Sequence, residues 1–318
     1  MLPRNRLFNE KKYIVAPTLA DRFTVPPISL LDGRQGEWQK RKRRWATVIN
    51  WQTDETRKFV DNPYDTSNRT GREDPLSARM ISMNGKGNGD GEQASMFDPV
   101  LAEISYNWWC PLGGLIADPF AGGNVRGMVA GHSGYQYHGV DLSADQVETN
   151  RYALDTAPVA PIRRPQWAVG DASAYDWGDI QADFVFSCPP YGTLERYSDN
   201  PNDLSTMKID QFRAPYKKAV QNVVNALKDN RFAAFVVGNY RENKKLVDLV
   251  SLTVEAFGEA GADYYGDLLY VTPYGTAPLR AATTFNGARK VVRTHQYLLS
   301  FIKGDPFTAT KEIQNAEI

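Results

Sequence analysis

A chain of 318 residues with 42% hydrophobic and 23% charged side chains has material for one large core, a domain of roughly 200 to 250 residues with an appendage. With 37 Lys+Arg against 37 Asp+Glu there is no global basic field, so any surface for a polyanion must be local. Two cysteines, Cys110 and Cys188, and 3 histidines exclude a disulfide framework and a spaced zinc cluster, and predict a metal-free protein of a reducing compartment.

The chain opens Met1-Leu-Pro-Arg-Asn-Arg6, without the apolar stretch of an export signal, and no apolar run nears the ~18 residues of a membrane span. A soluble, cytoplasmic protein with no membrane partner is expected. Residues 1–60 read as an N-terminal extension. Within it, Gly36–Trp45 (GEWQKRKRRW) predicts a basic helix with Trp38 and Trp45 on one face. Those rings dock the helix on the body, and its cations are either left solvated or track a DNA backbone. Residues 61–97, rich in Gly, Asn and Asp with almost nothing to bury, read as a flexible linker or loop. The body spans 98–305, and 306–318 form a C-terminal tail.

In the body, short apolar runs alternate with helical stretches: Leu115-Ile116, Tyr137–Val140, Gln166–Val169, Phe184–Phe186 and Phe232–Val237. Continuous apolar strands separated by helices predict an α/β fold, a mostly parallel sheet covered on both faces. Asp145–Leu154 and Ile209–Leu227 repeat apolar residues at helical spacing. Leu268–Thr272 and His295–Ile302 predict two closing strands, with His295 structural. Between them runs a long loop, Thr276–Arg293, in which Arg280, Arg289, Lys290 and Arg293 stand without an acid. Phosphate contact is one use of such a loop and solubility the other.

Open α/β sheets hold ligands beyond the carboxyl ends of their strands, so the residues following each strand carry the functional reading. After Leu115-Ile116, the turn Asp118-Pro-Phe-Ala-Gly-Gly123 has glycines that let backbone approach a ligand at a helix N-terminus. Asp141, about 20 residues on, ends the next strand, where a carboxylate takes ribose hydroxyls or caps the helix beginning at Ser143. Asp171 ends the third strand, as an acceptor for an adenine amino group or as a turn-former. Ser187-Cys-Pro-Pro-Tyr191 ends the fourth. Pro189 and Pro190 fix φ and remove two backbone donors, leaving outward carbonyls, and Tyr191 offers a stacking face or packs inward.

This order of Asp118-Pro-Phe-Ala-Gly-Gly123, Asp141, Gly170-Asp171 and Ser187-Cys-Pro-Pro-Tyr191 resembles the S-adenosylmethionine-dependent amino-methyltransferases of DNA, phage and prophage DNA methylases especially, over about Phe97 to Gly304. The resemblance implies a seven-stranded Rossmann-like methyltransferase sheet, S-adenosylmethionine as cofactor over the first three strands, and DNA as partner. On that mapping Asp118, Pro119, Phe120, Gly122 and Gly123 surround the methionine end. Asp141, with Leu142 beside it, holds the ribose; Asp171 and Ala172 meet the adenine; Asp98 opens a further cofactor-contacting segment. Ser187, Cys188, Pro189, Pro190 and Tyr191 become the catalytic turn. The Pro189 carbonyl accepts from the target amino group, Cys188 Sγ or the Ser187 hydroxyl is a weaker second acceptor, and Tyr191 stacks an extrahelical base. Two positions depart from the family. Asn124 stands at the last glycine of the loop, and Cys188 replaces Asp, Asn or Ser, although a thiol is a poor acceptor. Adenine or cytosine as target, RNA or a protein amide as substrate, carbon-5 attack by Cys188, an inactive DNA-binding relative and a homodimer are all left open.

Overall fold

The structure, a computed structural model, describes residues 23–49, 96–194, 196–275 and 277–315; the expected linker lies outside them up to residue 95. The described chain begins β1 (Leu30–Asp32), α1 (Gly36–Val48), α2 (Pro99–Trp109), β2 (Leu115–Asp118), α3 (Val125–His132), β3 (Gln136–Asp141), α4 (Ala144–Asp155), β4 (Gln166–Val169) and β5 (Phe184–Ser187). It continues α5 (Ile209–Ala226), β6 (Arg231–Val237), β7 (Tyr240–Glu242), β8 (Lys245–Val247), α6 (Leu249–Glu259), β9 (Asp263–Val271), α7 (Ala277–Ala288), β10 (His295–Lys303) and α8 (Pro306–Asn315).

Eight strands form one sheet in the order β1-β9-β10-β6-β5-β2-β3-β4, with only β10 antiparallel to its neighbours. The chain winds outward from β2 through β3 to β4, then returns to lay β5 and β6 on the other side of β2. That reversal is the switch point of a doubly wound sheet, and a crevice opens there at the carboxyl ends. Seven strands match the expectation. The eighth, β1, comes from the N-terminal extension and pairs in parallel with β9, Leu31 opposite Tyr270.

Side chains of β5 alternate between the two faces, as pleating requires: Phe184 and Phe186 join one apolar cluster and Val185 the other. The first cluster packs α1, α2 and α3 through Trp38, Trp45, Tyr106 and Met128. The second packs α5 and α6 through Phe212, Tyr216, Val220 and Phe257. A strand sandwiched this way must be apolar throughout, which is why the runs were legible.

The basic stretch is the helix α1, docked through buried Trp38 and Trp45. Glu103 of α2 anchors it, accepting from Trp45 Nε1 at 2.8 Å and Arg41 Nε at 2.6 Å. Its cations are not all solvated, since Arg41 pairs with Glu103 and Lys42 with Asp98. Of the expected loop, residues 277–293 are largely helix, because Pro278 sits in the first turn of α7 and alanines follow it. The tail folds as α8 and buries Ala309 and Ile313 in the first cluster.

Candidate functional site

A cleft of about 1280 Å³ opens along the carboxyl rim of the sheet. The turns leaving β2, β3, β4, β5 and β9 all contribute to its wall, and Gln296 reaches it because β10 runs the opposite way and starts on that rim.

The glycine turn after β2 is locked to β3. Gly122 adopts a left-handed φ of 51° and donates its N–H to Asp141 Oδ2 at 2.8 Å. Its carbonyl accepts from Asn150 Nδ2 of α4 at 2.7 Å. Asp141 Oδ1 accepts from the Ser143 N–H at 2.9 Å, while Ser143 itself caps α4 by accepting from Gln146 at 3.2 Å. Asp141 therefore ties two turns together on the cleft wall, and the capping role belongs to Ser143. Asn124 costs the loop nothing: its φ is −66°, a helical value open to any residue.

Asp171 is a turn-former that also lines the cleft. Its Oδ1 accepts from the Ser173 N–H at 2.8 Å and the Ser173 hydroxyl at 2.7 Å. Asn222 of α5 holds the carbonyls of Ala172 and Ser173, at 3.2 and 2.9 Å. Pro119, Phe120, Gly123 and Leu142 also line the wall, Phe120 with its ring stacked on Tyr216 at 6.2 Å.

Two expected site residues lie beneath the cleft instead. Asp118 is 0% exposed, and its carboxylate accepts from Ser187 Oγ at 2.6 Å, Tyr137 Oη at 2.8 Å, Arg126 Nε at 2.6 Å and the Phe120 N–H at 3.2 Å. Ser187 is equally buried, and its hydroxyl is committed to Asp118. The last residues of adjacent central strands face one another under the floor, so neither Asp118 nor Ser187 meets a ligand in the cleft. Their partner Arg126 does reach the wall. Its guanidinium also donates to the carbonyls of Phe120 and Ala121 and lies 4.8 Å over the Phe97 ring. Burial opposes the Arg126 charge, and Asp118 beside it outweighs that, holding the guanidinium pKa above its ordinary value. Burial and then the Asp118 charge push the Tyr137 hydroxyl well above its own.

Asp98 lines the cleft and is almost buried. It caps α2 through the Val100 N–H at 2.9 Å and accepts from Tyr270 Oη at 2.9 Å and Lys42 Nζ at 3.0 Å. Burial, then the charge of Asp98, raises the Tyr270 pKa.

The Pro-Pro-Tyr turn faces the glycine turn across the switch point, with Cys188, Pro189, Pro190 and Tyr191 all on the wall. Tyr191 is half-buried, packed against the second cluster while it also lines the cleft. Its hydroxyl accepts from Gln296 Nε2 at 2.7 Å and stands 3.8 Å from Cys188 Sγ. Arg280, Arg289, Lys290 and Arg293 are exposed on or beside α7 and do not line the cleft. Lys42, Arg126, Gln296 and the segment 197–203 line it without having been singled out; of these, only the position of Gln296 at the start of a closing strand was a usable signal.

The sequence matches no family model and no curated protein. Among solved structures, the chain is similar to a TehB-like SAM-dependent methyltransferase from Corynebacterium glutamicum, at 13% identity over 72% of this chain and 95% of that one, with a TM-score of 0.42. It is also similar to a putative RNA methyltransferase from Pyrococcus horikoshii, at 15% identity, 72% and 98% coverage and a TM-score of 0.43. A third is the glycopeptide N-methyltransferase MtfA complexed with sinefungin, at 12% identity, 73% and 98% coverage and a TM-score of 0.45. Likenesses this distant decide neither a substrate nor the role of any residue.

Proposed function

We propose that the cleft binds S-adenosylmethionine and that the chain transfers its methyl group to the exocyclic amino nitrogen of adenine or cytosine in DNA, leaving S-adenosylhomocysteine as the neutral thioether and releasing one amino proton to solvent. One observation carries this: Asp141, Asp171 and the turn Cys188–Tyr191 line a single cleft at the switch point of the sheet. The donor and acceptor set fits the cofactor. Asp141 is oriented by two backbone N–H groups toward ribose hydroxyls, Asp171 and Ala172 border the adenine end, and the Gly122-Gly123 turn with Pro119 and Phe120 borders the methionine end. Asp98 and Leu142 complete the wall.

Bound S-adenosylmethionine supplies a methyl group already activated on a positively charged sulfur, so the work left to the chain is alignment. A base amino nitrogen is a weak nucleophile because its lone pair is delocalised into the ring. Acceptors on its hydrogens draw it toward a pyramidal, more reactive geometry. The Pro189 carbonyl, on a turn made rigid by two prolines, is the first acceptor. With Ser187 committed beneath the floor, the second is Cys188 Sγ. The face of Tyr191 stacks a base that has left the duplex. The cations of α7 and the segment after it favour a polyanionic substrate.

The test is incubation with labelled S-adenosylmethionine and either DNA or RNA. Label entering DNA is the expected result. Label entering RNA alone moves the substrate, binding without transfer marks an inactive relative, and no cofactor binding overturns the proposal.

A further inference from the structure

Beside α7 lies a second concavity of about 480 Å³, walled by Tyr274, Ala281, Ala282, Phe285, Val291 and Val292. Of the twelve residues of α7 only Ala277 is buried, and Leu279, Phe285 and Val291 are 62%, 44% and 76% exposed. A helix that leaves this much apolar surface uncovered marks an interaction site.

We infer that this groove holds an unpaired nucleobase of the DNA strand, next to the nucleotide whose base enters the cleft. The inference rests on the nucleic-acid reading above.

Charge selects the class of occupant. No acid occurs from Thr272 to Thr294, while Arg289 stands over the Phe285 ring of the groove and Arg280 and Lys290 are exposed on or just beyond the same helix; Arg293 is left out because its charge acts on Asp248. Geometry selects a base. Arg289 lies 5.2 Å over the Phe285 ring and Arg34 lies 4.8 Å over the Tyr274 ring, so the groove has aromatic walls backed by guanidinium groups. Aromatic platforms interleaved with cations bind single strands, the bases by stacking and the phosphates by charge. The volume falls within the range of sites for small molecules and suits a base with its sugar. Among the described residues Thr294 and Tyr274 are the only lining side chains with polar groups, and Arg34 already donates to the Tyr274 hydroxyl. Such a wall reads stacking area rather than base edges, so the clamp is tolerant of sequence.

Position connects the groove to the chemistry. Pro273 lines the cleft and Tyr274 the groove; Gln296 lines the cleft and Thr294 the groove. Pro273 and Tyr274 are consecutive, with Cα atoms about 3.8 Å apart, so the cleft and the groove share this stretch of wall. A target base drawn into the cleft strips its neighbour of one stacking partner, and the groove supplies a replacement.

The experiment is fluorescence anisotropy of the full chain with a labelled single-stranded deoxyoligonucleotide and with the same sequence as duplex. Phe285→Ala and Ala281→Gln, both exposed on the groove face of α7, should weaken single-strand binding roughly tenfold, the size of one lost base stack, with the salt slope unchanged. The pair Arg280→Gln and Lys290→Gln should instead lower the single-strand salt slope by about 1.4, roughly 0.7 per phosphate contact. Wild-type affinity in both groove variants overturns the inference. So does a concentration-dependent dimer in sedimentation that Phe285→Ala dissolves, since a second copy would then fill the groove. Methyl transfer to DNA with groove variants fully active removes the groove and keeps the enzyme. Groove-dependent strand binding without any cofactor affinity does the reverse.

Discussion

The hydroxyl of Tyr191 accepts from Gln296 Nε2 at 2.7 Å and stands 3.8 Å from Cys188 Sγ, a contact in which either group can donate. Gln296, at the start of β10 two strands away from β5, thereby holds the ring of Tyr191 by its hydroxyl. Gln296→Ala should lower turnover about two- to tenfold, the worth of one hydrogen bond, with cofactor affinity unchanged. In a Tyr191→Phe background the same change should add little, and equal losses in both backgrounds would mean that Gln296 touches substrate instead. Asp141→Ala should weaken S-adenosylmethionine binding by ~1 to 3 kcal/mol in calorimetry, and an unchanged affinity would move the ribose contact elsewhere. Asp118 acts on stability. Asp118→Asn leaves Arg126 buried without its counter-charge and should cost about 3 to 5 kcal/mol in urea denaturation. The sequence presents Asp118, Asp141 and Asp171 alike, as acids at strand ends. Which of them faces the rim depends on the neighbouring strand and on Arg126, eight residues further along, and no local pattern encodes either.

At the scale of elements, what could be read was what the fold buries on both sides. Five parallel strands and the helices α4 and α5 showed their periods because packing demands them. The tryptophans of α1 were legible for the same reason. β1 was not, since Leu30–Asp32 is three residues with one buried side chain and gains its register only from β9. Nor was α7, whose helix buries one residue, so that no core packing fixes its apolar face. The helix α1 also shapes the cleft, bringing Lys42 to Asp98 and packing Trp38 on Tyr270 at 5.4 Å. Its anchor is Trp45, fully buried and bonded to Glu103. Trp45→Ala should cost about 3 to 5 kcal/mol, by the cavity it leaves and the carboxylate it strands. A urea midpoint close to wild type would mean that α1 is held by its ion pairs rather than by its rings.

For the whole molecule, the same stitching makes stability depend on pH in two separate windows. All 3 histidines are shifted below the ordinary value of 6.5, each by burial first, and His132 is lowered to about 4. Its ring sits 6.3 Å from Trp45, and no hydrogen-bond partner reaches its Nε2 among the described residues. Between pH 6.5 and about 4 the unfolded chain takes up protons that the fold refuses, so stability falls as pH falls through that range. The carboxylates act lower. Asp183, whose burial is outweighed by Lys228, the Leu115 N–H and Arg231, has its pKa held below 3.8, so the stability it contributes is lost only as the pH falls below that value. The midpoint of urea unfolding should therefore decline in two steps on acidification, the first between pH 6.5 and 4. His132→Phe keeps a ring against Trp45 and removes the titrating nitrogen, so it should flatten the first step and leave the second in place. An undiminished first step in that variant would assign it to His138, which Tyr175 holds at 2.9 Å, or to His295 beside Tyr297.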